Sequence, residues 1–257
     1  MPGSNRKEFG DFLRSRREKL SPDAVGLKVG ARRRAAGLRR EEVAELAGIG
    51  VDWYVRLEQG RTVSPSAATL DALAGALRLG SAEAAHLKAL AHSDDARAFT
   101  PESVPAPIRQ LVTYLPIPAY VTGRRWDLLA WNRAAAELFC FDDLDEDSRN
   151  ILVFMFICPE GRRLFGSTWA DEARRMIALF RTTHDLHADD PAFIELVARL
   201  RTHSAEFATG WDAHDIRAAT SGTKTLAHPQ QGVQRYDYVT FQANDDPALK
   251  LAIYTPA

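Results

Sequence analysis

Apolar residues recur at helical spacing through the first ninety positions and alternate through the last forty, so the period changes along the chain. Residues 8–20 place Phe9, Phe12 and Leu13 on one helix face, with Arg16 on its edge and Arg14 and Arg17 expected toward solvent. Residues 38–61, LRREEVAELAGIGVDWYVRLEQGR, predict two short helices around a tight turn. Leu38, Val43, Leu46 and Ala47 give one apolar face, and Ile49, Tyr54 and Leu57 continue it after the break at Gly48. Gly48 and Gly60 suit the left-handed backbone that ends a helix. Helices this short need a third to pack across them. That is the geometry of a helix-turn-helix, whose second helix enters the major groove, and equally of an ordinary αα-corner.

Further helices are predicted over 67–79, with Leu70, Leu73, Ala74 and Leu77 inward, and over 81–92. Five helices in about ninety residues make an all-α domain, 1–92. Residues 93–107, with Asp94, Asp95, Pro101, Pro105 and Pro107, read as a linker. Beyond it, a short helix over 108–115 precedes strands at 117–122 and 126–131, joined at Gly123. A helix over 132–139 follows; 151–156 is β-like or a buried apolar segment; 169–180 and 193–207 are amphipathic helices. Segments 216–219, 222–226, 234–243 and 250–254 alternate as antiparallel strands. Residues 108–257 are therefore expected to form an α+β domain, an antiparallel sheet with helices.

Charge sharpens the division. The formal net charge of -1 hides 12 basic and 4 acidic side chains within residues 1–40, a local +8. Such a front end suits a polyanion. Arg32, Arg33 and Arg34, in a loop with three glycines, are placed along a DNA backbone, surface solubility being the alternative. Cys140 and Cys158 lie in apolar runs and are read as free thiols. The start MPGSNRKEFG has no apolar leader, and the run 151–158 is too short to cross a bilayer, which points to a cytoplasmic protein without a membrane partner.

Catalytic chemistry finds little support. Five histidines (184, 187, 203, 214 and 228) fall beyond residue 108 among aspartates, without an HExxH or comparable metal pattern. Ser167, Ser204 and Ser221 lack a nucleophile elbow, and no glycine-rich phosphate loop is present. The expectation is no enzyme activity, no metal and no cofactor.

The first domain resembles the XRE (Cro/repressor-like) helix-turn-helix family. The family pattern is met by Leu38, Glu41, Glu42, Val43, Ala44, Ala47, Gly48, Ile49, Tyr54, Leu57, Glu58, Gly60 and Arg61. The resemblance implies a recognition helix over 50–56. Gly50 would open that helix, Val51 and Asp52, with Trp53 or Val55, would face base edges, and Arg56 and Arg61 would lie close to the backbone. Arg39 and Arg40 stand where the family has a Ser/Thr cap followed by Gln, giving up a cap worth about 1 kcal/mol and offering phosphate contacts instead. Arg14, Arg17, Arg39 and Arg40 join the basic loop as expected DNA contacts. One such module buries little surface, so a homodimer on a double-stranded operator is expected.

With Leu-Pro-Ile-Pro-Ala-Tyr at 115–120, Asp-Leu-Leu-Ala-Trp-Asn at 127–132, Trp211-Asp-x-His-Asp and Gly222-x-Lys-x-x-x-His-Pro, the whole chain resembles the MmyB-like actinobacterial regulators. There an XRE domain precedes a PAS-like ligand-binding domain. The resemblance implies an apolar pocket for a fatty-acyl or similar small molecule and a regulator that answers to it. Residues compatible with such a lining are Tyr120, Trp131, Phe139, Phe154, Phe156, Leu164, Phe165, Trp169, Met176 and Phe180, although each also suits a helix-on-sheet core. Tyr120, Arg125, Arg162, His203 or Arg174 would orient a carboxylate at the mouth. The rival readings are an enzyme, or a protein-interaction module, fused to a DNA-targeting domain.

Overall fold

A computed structural model describes residues 4–27, 37–61, 64–91, 99–228 and 230–257. The chain divides into two compact units, and neither is continuous in sequence. Unit 1 comprises Met1–Ala98 with His184–Ile194 and Ala213–Arg217; unit 2 comprises Phe99–Thr183, Glu195–Asp212 and Ala218–Ala257.

Unit 1 holds α1 (Ser4–Lys19), α2 (Arg40–Ala47), α3 (Val51–Glu58), α4 (Ala67–Ala76) and α5 (Ser81–Ala91). Phe12, Leu13, Leu38, Val43, Ala44, Tyr54, Leu57, Leu70, Leu73 and Leu87 form its core. Helical spacing selected these positions apart from Ala44; of its other choices, Leu46 is left exposed and Ile49 and Ala74 are half-buried. Gly48 takes a left-handed φ of 64°, and its N–H and that of Ile49 return to carbonyls of α2, so the turn costs no unpaired amides. α1 passes so close to α3 that a Cβ on Gly10 would stand 2.5 Å from the Glu58 carbonyl oxygen. Segment 216–219, expected as a strand, has no strand structure. Its Ile216 is instead buried in this helical core, beside Leu186 from the 3-10 turn Asp185–His187.

Unit 2 is mixed. It contains α6 (Ala106–Tyr114), β1 (Ala119–Thr122), β2 (Leu128–Trp131), α7 (Arg133–Phe139), α8 (Ile151–Phe156), α9 (Pro159–Phe165), most of α10 (Trp169–His184) and α11 (Pro191–His203), α12 (Ala205–Asp212), β3 (Gly222–His228), β4 (Gly232–Gln242) and β5 (Lys250–Pro256). The strands form one antiparallel sheet in the order β2-β1-β5-β4-β3. Its two faces differ. Ala119, Val121 and Ala130 pack with Val104 and Val112, the latter on α6. The opposite face, which registers Trp131, Tyr120, Ala252, Tyr254, Tyr238, Tyr236 and Lys224, receives the rings of α7 and the turn after it.

Two buried asparagines fix the helices over that face. Asn132 caps α7 by accepting from Ala135 N–H at 2.9 Å, while its amide donates to the Leu115 and Ile117 carbonyls. Asn150 caps α8 by accepting from Leu152 N–H at 2.9 Å and donates to the Arg125 carbonyl. That cap turns the apolar run 151–156 into a buried helix. The expected helix 193–207 is two helices, broken at Ser204, whose hydroxyl accepts from Phe207 N–H at 3.1 Å and so starts α12. Helix α9 interrupts a stretch to which the pattern assigned nothing.

Candidate functional site

In unit 1, α3 presents a free outer face. Gly50, Val51, Asp52 and Arg56 are exposed, Val51 to 43%. Val51 and Val55, like Asp52 and Arg56, are four residues apart and share that face. Trp53 is half-buried against the core, which takes most of its ring away from a groove. An exposed apolar residue, an acceptor and a guanidinium in one helical stripe is the equipment of major-groove contact.

The inner face of α3 carries a charge. Glu58 is buried, and its carboxylate accepts from Arg17 at 2.8 and 3.0 Å and from Arg40 at 2.9 Å. Burial alone pushes the Glu58 carboxyl up; the hydrogen bonds from Arg17 and Arg40 outweigh that and hold it below the ordinary carboxylate range. Arg17 also donates to the Leu38 carbonyl at 2.9 Å. This corrects the expectation that Arg17 faces solvent and phosphates: it is buried and braces α1 against α3. Arg40 keeps 41% of its side chain exposed while holding Glu58. Arg14 is exposed and paired with Glu18, and Arg39 and Arg61 are exposed. The Arg39 N–H donates to the Glu42 carboxylate at 2.6 Å, so half of a capping box survives without a capping side chain. Arg32, Arg33 and Arg34 lie outside the described residues.

In unit 2 the tyrosine-bearing face of the sheet gathers an aromatic group. Tyr120 stands edge-on to Phe139 and Phe141 at 5.6 and 5.4 Å, and those two rings stack at 4.9 Å. Phe154 and Tyr254 close on Phe139 at 6.4 and 5.1 Å. The Tyr120 and Tyr254 hydroxyls lie 3.3 Å apart, and burial pushes both phenols well up, so both stay neutral donors. Beside them Lys224 Nζ sits 2.7 Å from Glu172, over the Tyr238 ring at 4.4 Å. These rings are buried, and an apolar, ring-lined group with a few fixed polar groups is the composition of a small-molecule site.

Comparison with known families agrees in both regions. Residues 8–87 match a helix-turn-helix domain, and residues 104–257 match the MmyB-like transcription regulator ligand binding domain. The chain belongs to the MmyB-like transcription regulators. No curated protein matches it. As an MmyB-like regulator it joins a DNA-binding helix-turn-helix to a ligand-binding sensor domain, and both are regulatory rather than catalytic modules.

Within this regulator, Tyr120, Phe139 and Phe154 are brought together, with Trp131 half-buried against Phe141 at 5.9 Å and bonded through its indole N–H to Asp142. Phe156 and Trp169 meet each other at 5.9 Å and run on through Phe207 to Trp211, a second aromatic group, which Phe180 joins at Trp211. Leu164, Phe165 and Met176 are buried. The five suggested mouth residues do not converge. Tyr120 is buried in the aromatic group, Arg125 pairs with Asp127, Arg162 with Glu206 and Arg174 with Asp171. His203 is exposed, its ring 2.8 Å from the Arg199 carbonyl. Pattern reading missed Lys224, Glu172, Arg175, Tyr238 and Tyr254. The signal for Lys224 was strand alternation, which sets it two residues from the fully buried Leu226 and therefore on the inner face.

Proposed function

We propose that this regulator is a sequence-specific transcription factor, controlled by a small apolar ligand of fatty-acyl type and acting as a homodimer in the cytoplasm. The observation that carries the reading is the pairing of two surfaces in one chain. One is the exposed Val51, Asp52 and Arg56 stripe of α3; the other is the ring-lined sheet face around Tyr120, Phe139 and Tyr254. The five-stranded antiparallel sheet with helices over that face supports a PAS-like sensor in general form. A single α3 reads only a few base pairs, and two copies on adjacent half-sites multiply that discrimination.

A ligand that favours one arrangement of the dimer changes operator affinity by its differential affinity for the two arrangements. The test has two stages. Selection of bound sequences from random DNA should return a two-fold symmetric site with half-sites one or more helical turns apart. Titration of that site with and without saturating sodium dodecanoate should then shift its Kd by roughly fivefold or more. Equal operator affinity at both ligand levels across chain lengths would overturn ligand control, and an asymmetric single site would overturn the dimer.

A further inference from the structure

Polar groups on the inner face of the unit 2 sheet do not balance. Glu172, on α10, accepts from two cations, Lys224 at 2.7 Å and Arg175 at 3.1 Å. One carboxylate facing two cations leaves a surplus positive charge. The surroundings offer it little water: the side chains of Lys224, Glu172 and Arg175 are 11%, 13% and 18% exposed. Arg175 satisfies a second donor on the Thr220 carbonyl at 3.0 Å and lies over the Tyr238 ring. Lys224 does less well. Among the described residues its polar partner is Glu172 alone, and the rest of the ammonium faces the rings of Tyr238, Phe165 and Tyr254 at 4.4, 5.5 and 5.7 Å.

Ring faces compensate an ammonium only partly, and a buried surplus charge is costly unless an anion meets it. The neighbouring hydroxyls of Tyr120 and Tyr254, neutral and 3.3 Å apart, donate to each other at best once, which leaves one phenolic proton for another acceptor. Next to those hydroxyls begins the wholly apolar group of Phe139, Phe141 and Phe154. The order is therefore surplus cation, hydroxyl donors, hydrocarbon-compatible surface.

We propose that Lys224 anchors the head group of the fatty-acyl-type ligand by pairing with its carboxylate. A single negative charge matches the single surplus positive one; a dianionic phosphate would exceed it. The carboxylate would accept from Lys224 and from the one tyrosine hydroxyl left free to donate, and its chain would lie against Phe139, Phe141 and Phe154. Glu172 competes with the ligand carboxylate for the ammonium, and Arg175 holds Glu172 in place on the inner face. The assignment rests on the reading of unit 2 as an apolar-ligand sensor, and its test separates the two.

Sodium dodecanoate and dodecan-1-ol serve as probes of equal chain length, titrated calorimetrically into the full-length chain and into its Lys224→Met and Lys224→Arg variants. The expected result is a loss of about tenfold or more in dodecanoate affinity for Lys224→Met, with dodecanol unchanged and Lys224→Arg close to the parent. Should Lys224→Met fail to fold, the dependence of parent and Lys224→Arg on the head group alone decides: the parent must prefer the carboxylate to the alcohol. Equal loss of both probes in Lys224→Met, or a parent that binds dodecanol as well as dodecanoate, overturns the anchor while leaving an apolar site in place. Failure of the parent to bind either probe overturns the anchor together with the sensor reading beneath it.

Discussion

The two units each contain one carboxylate held between two cations, and the two trios differ in what remains unsatisfied. In unit 1, Glu58 takes Arg17 and Arg40; Arg17 spends its other donors on the Leu38 carbonyl and Glu18, and Arg40 reaches solvent. Every group there has somewhere to go. In unit 2, Glu172 takes Lys224 and Arg175, and Lys224 is left facing rings. The same stoichiometry thus gives a structural lock in one place and an unfinished site in the other. Whether a buried charge stabilises a fold or awaits a ligand depends on the accounting of its remaining donors, and not on its burial alone.

The sharpest way to break the comparison is to remove each carboxylate. Glu58→Gln takes the buried carboxylate from both guanidiniums and leaves Arg17 only the exposed Glu18 as a charge partner, and unfolding of unit 1 in urea should lose about 3 kcal/mol or more. The helix-turn-helix should lose operator binding with it. The pH dependence follows from the depressed Glu58 carboxyl. A group whose folded value lies below its unfolded one stabilises fully above the unfolded value, and the contribution is lost as pH falls through the folded value. The parent should therefore weaken progressively below about pH 4.5, the ordinary glutamate value, whereas Glu58→Gln should lack this component. A parent and variant with parallel stability profiles from pH 6 to 3 would show that the trio is not a lock.

Glu172→Gln should cost less, on the order of 1 kcal/mol, because the Glu172 side chain, 13% exposed against 1% for Glu58, is less completely buried. Its effect on ligand binding has the opposite sign. With no competing carboxylate, dodecanoate affinity should rise about threefold to tenfold while dodecanol is unaffected. A fall in dodecanoate affinity would make Glu172 a positioning residue whose loss lets Lys224 swing away, and would sharpen the contrast with Glu58.

The outer face of α3 tests whether the lock serves DNA reading. Arg56→Ala should weaken operator binding roughly fivefold to tenfold and lower the slope of log K against log salt by about one, the signature of a lost phosphate contact. Asp52→Ala should leave that slope alone and change which bases are tolerated. Identical salt slopes for Arg56→Ala and the parent would move Arg56 off the phosphates.

Helix positions in unit 1 were legible because each helix buries one stripe, and spacing alone selects Phe12, Val43, Tyr54, Leu57 and Leu73. Arg17 was misread for a related reason. It sits at the edge of the stripe, and only the arrival of Glu58 from a helix 41 positions away makes its burial tolerable. Local pattern contains no such partner. In unit 2 the strands with clear alternation were found, whereas Ile151–Phe156 is apolar on every side and carries no period; Asn150 decides it by capping. The site failed to appear for the same reason as Arg17. Tyr120, Tyr254, Lys224 and Glu172 come from four distant segments, and a row of aromatic residues in sequence does not say which rings meet. Segments His184–Ile194 and Ala213–Arg217 show the limit most plainly, since they interrupt unit 2 in sequence and belong to the helical unit in space.

The smallest expected effect concerns Arg39, whose backbone N–H is satisfied by Glu42 but whose side chain cannot accept from the first turn of α2. Arg39→Ser supplies that acceptor, and stability should rise by about 0.5–1 kcal/mol in urea unfolding. Operator binding should move the other way if the exposed guanidinium reaches a phosphate: affinity should fall a few-fold and the salt slope should drop by about one. The two readouts are independent, because the cap acts within α2 and the charge acts on the duplex. A gain in stability with unchanged DNA affinity would remove Arg39 from the interface and confine the basic contribution of α2 to Arg40, which is already shared with Glu58. A loss in both would mean that the Arg39 side chain itself holds the helix start, and that the half capping box made by Glu42 is the weaker part of it.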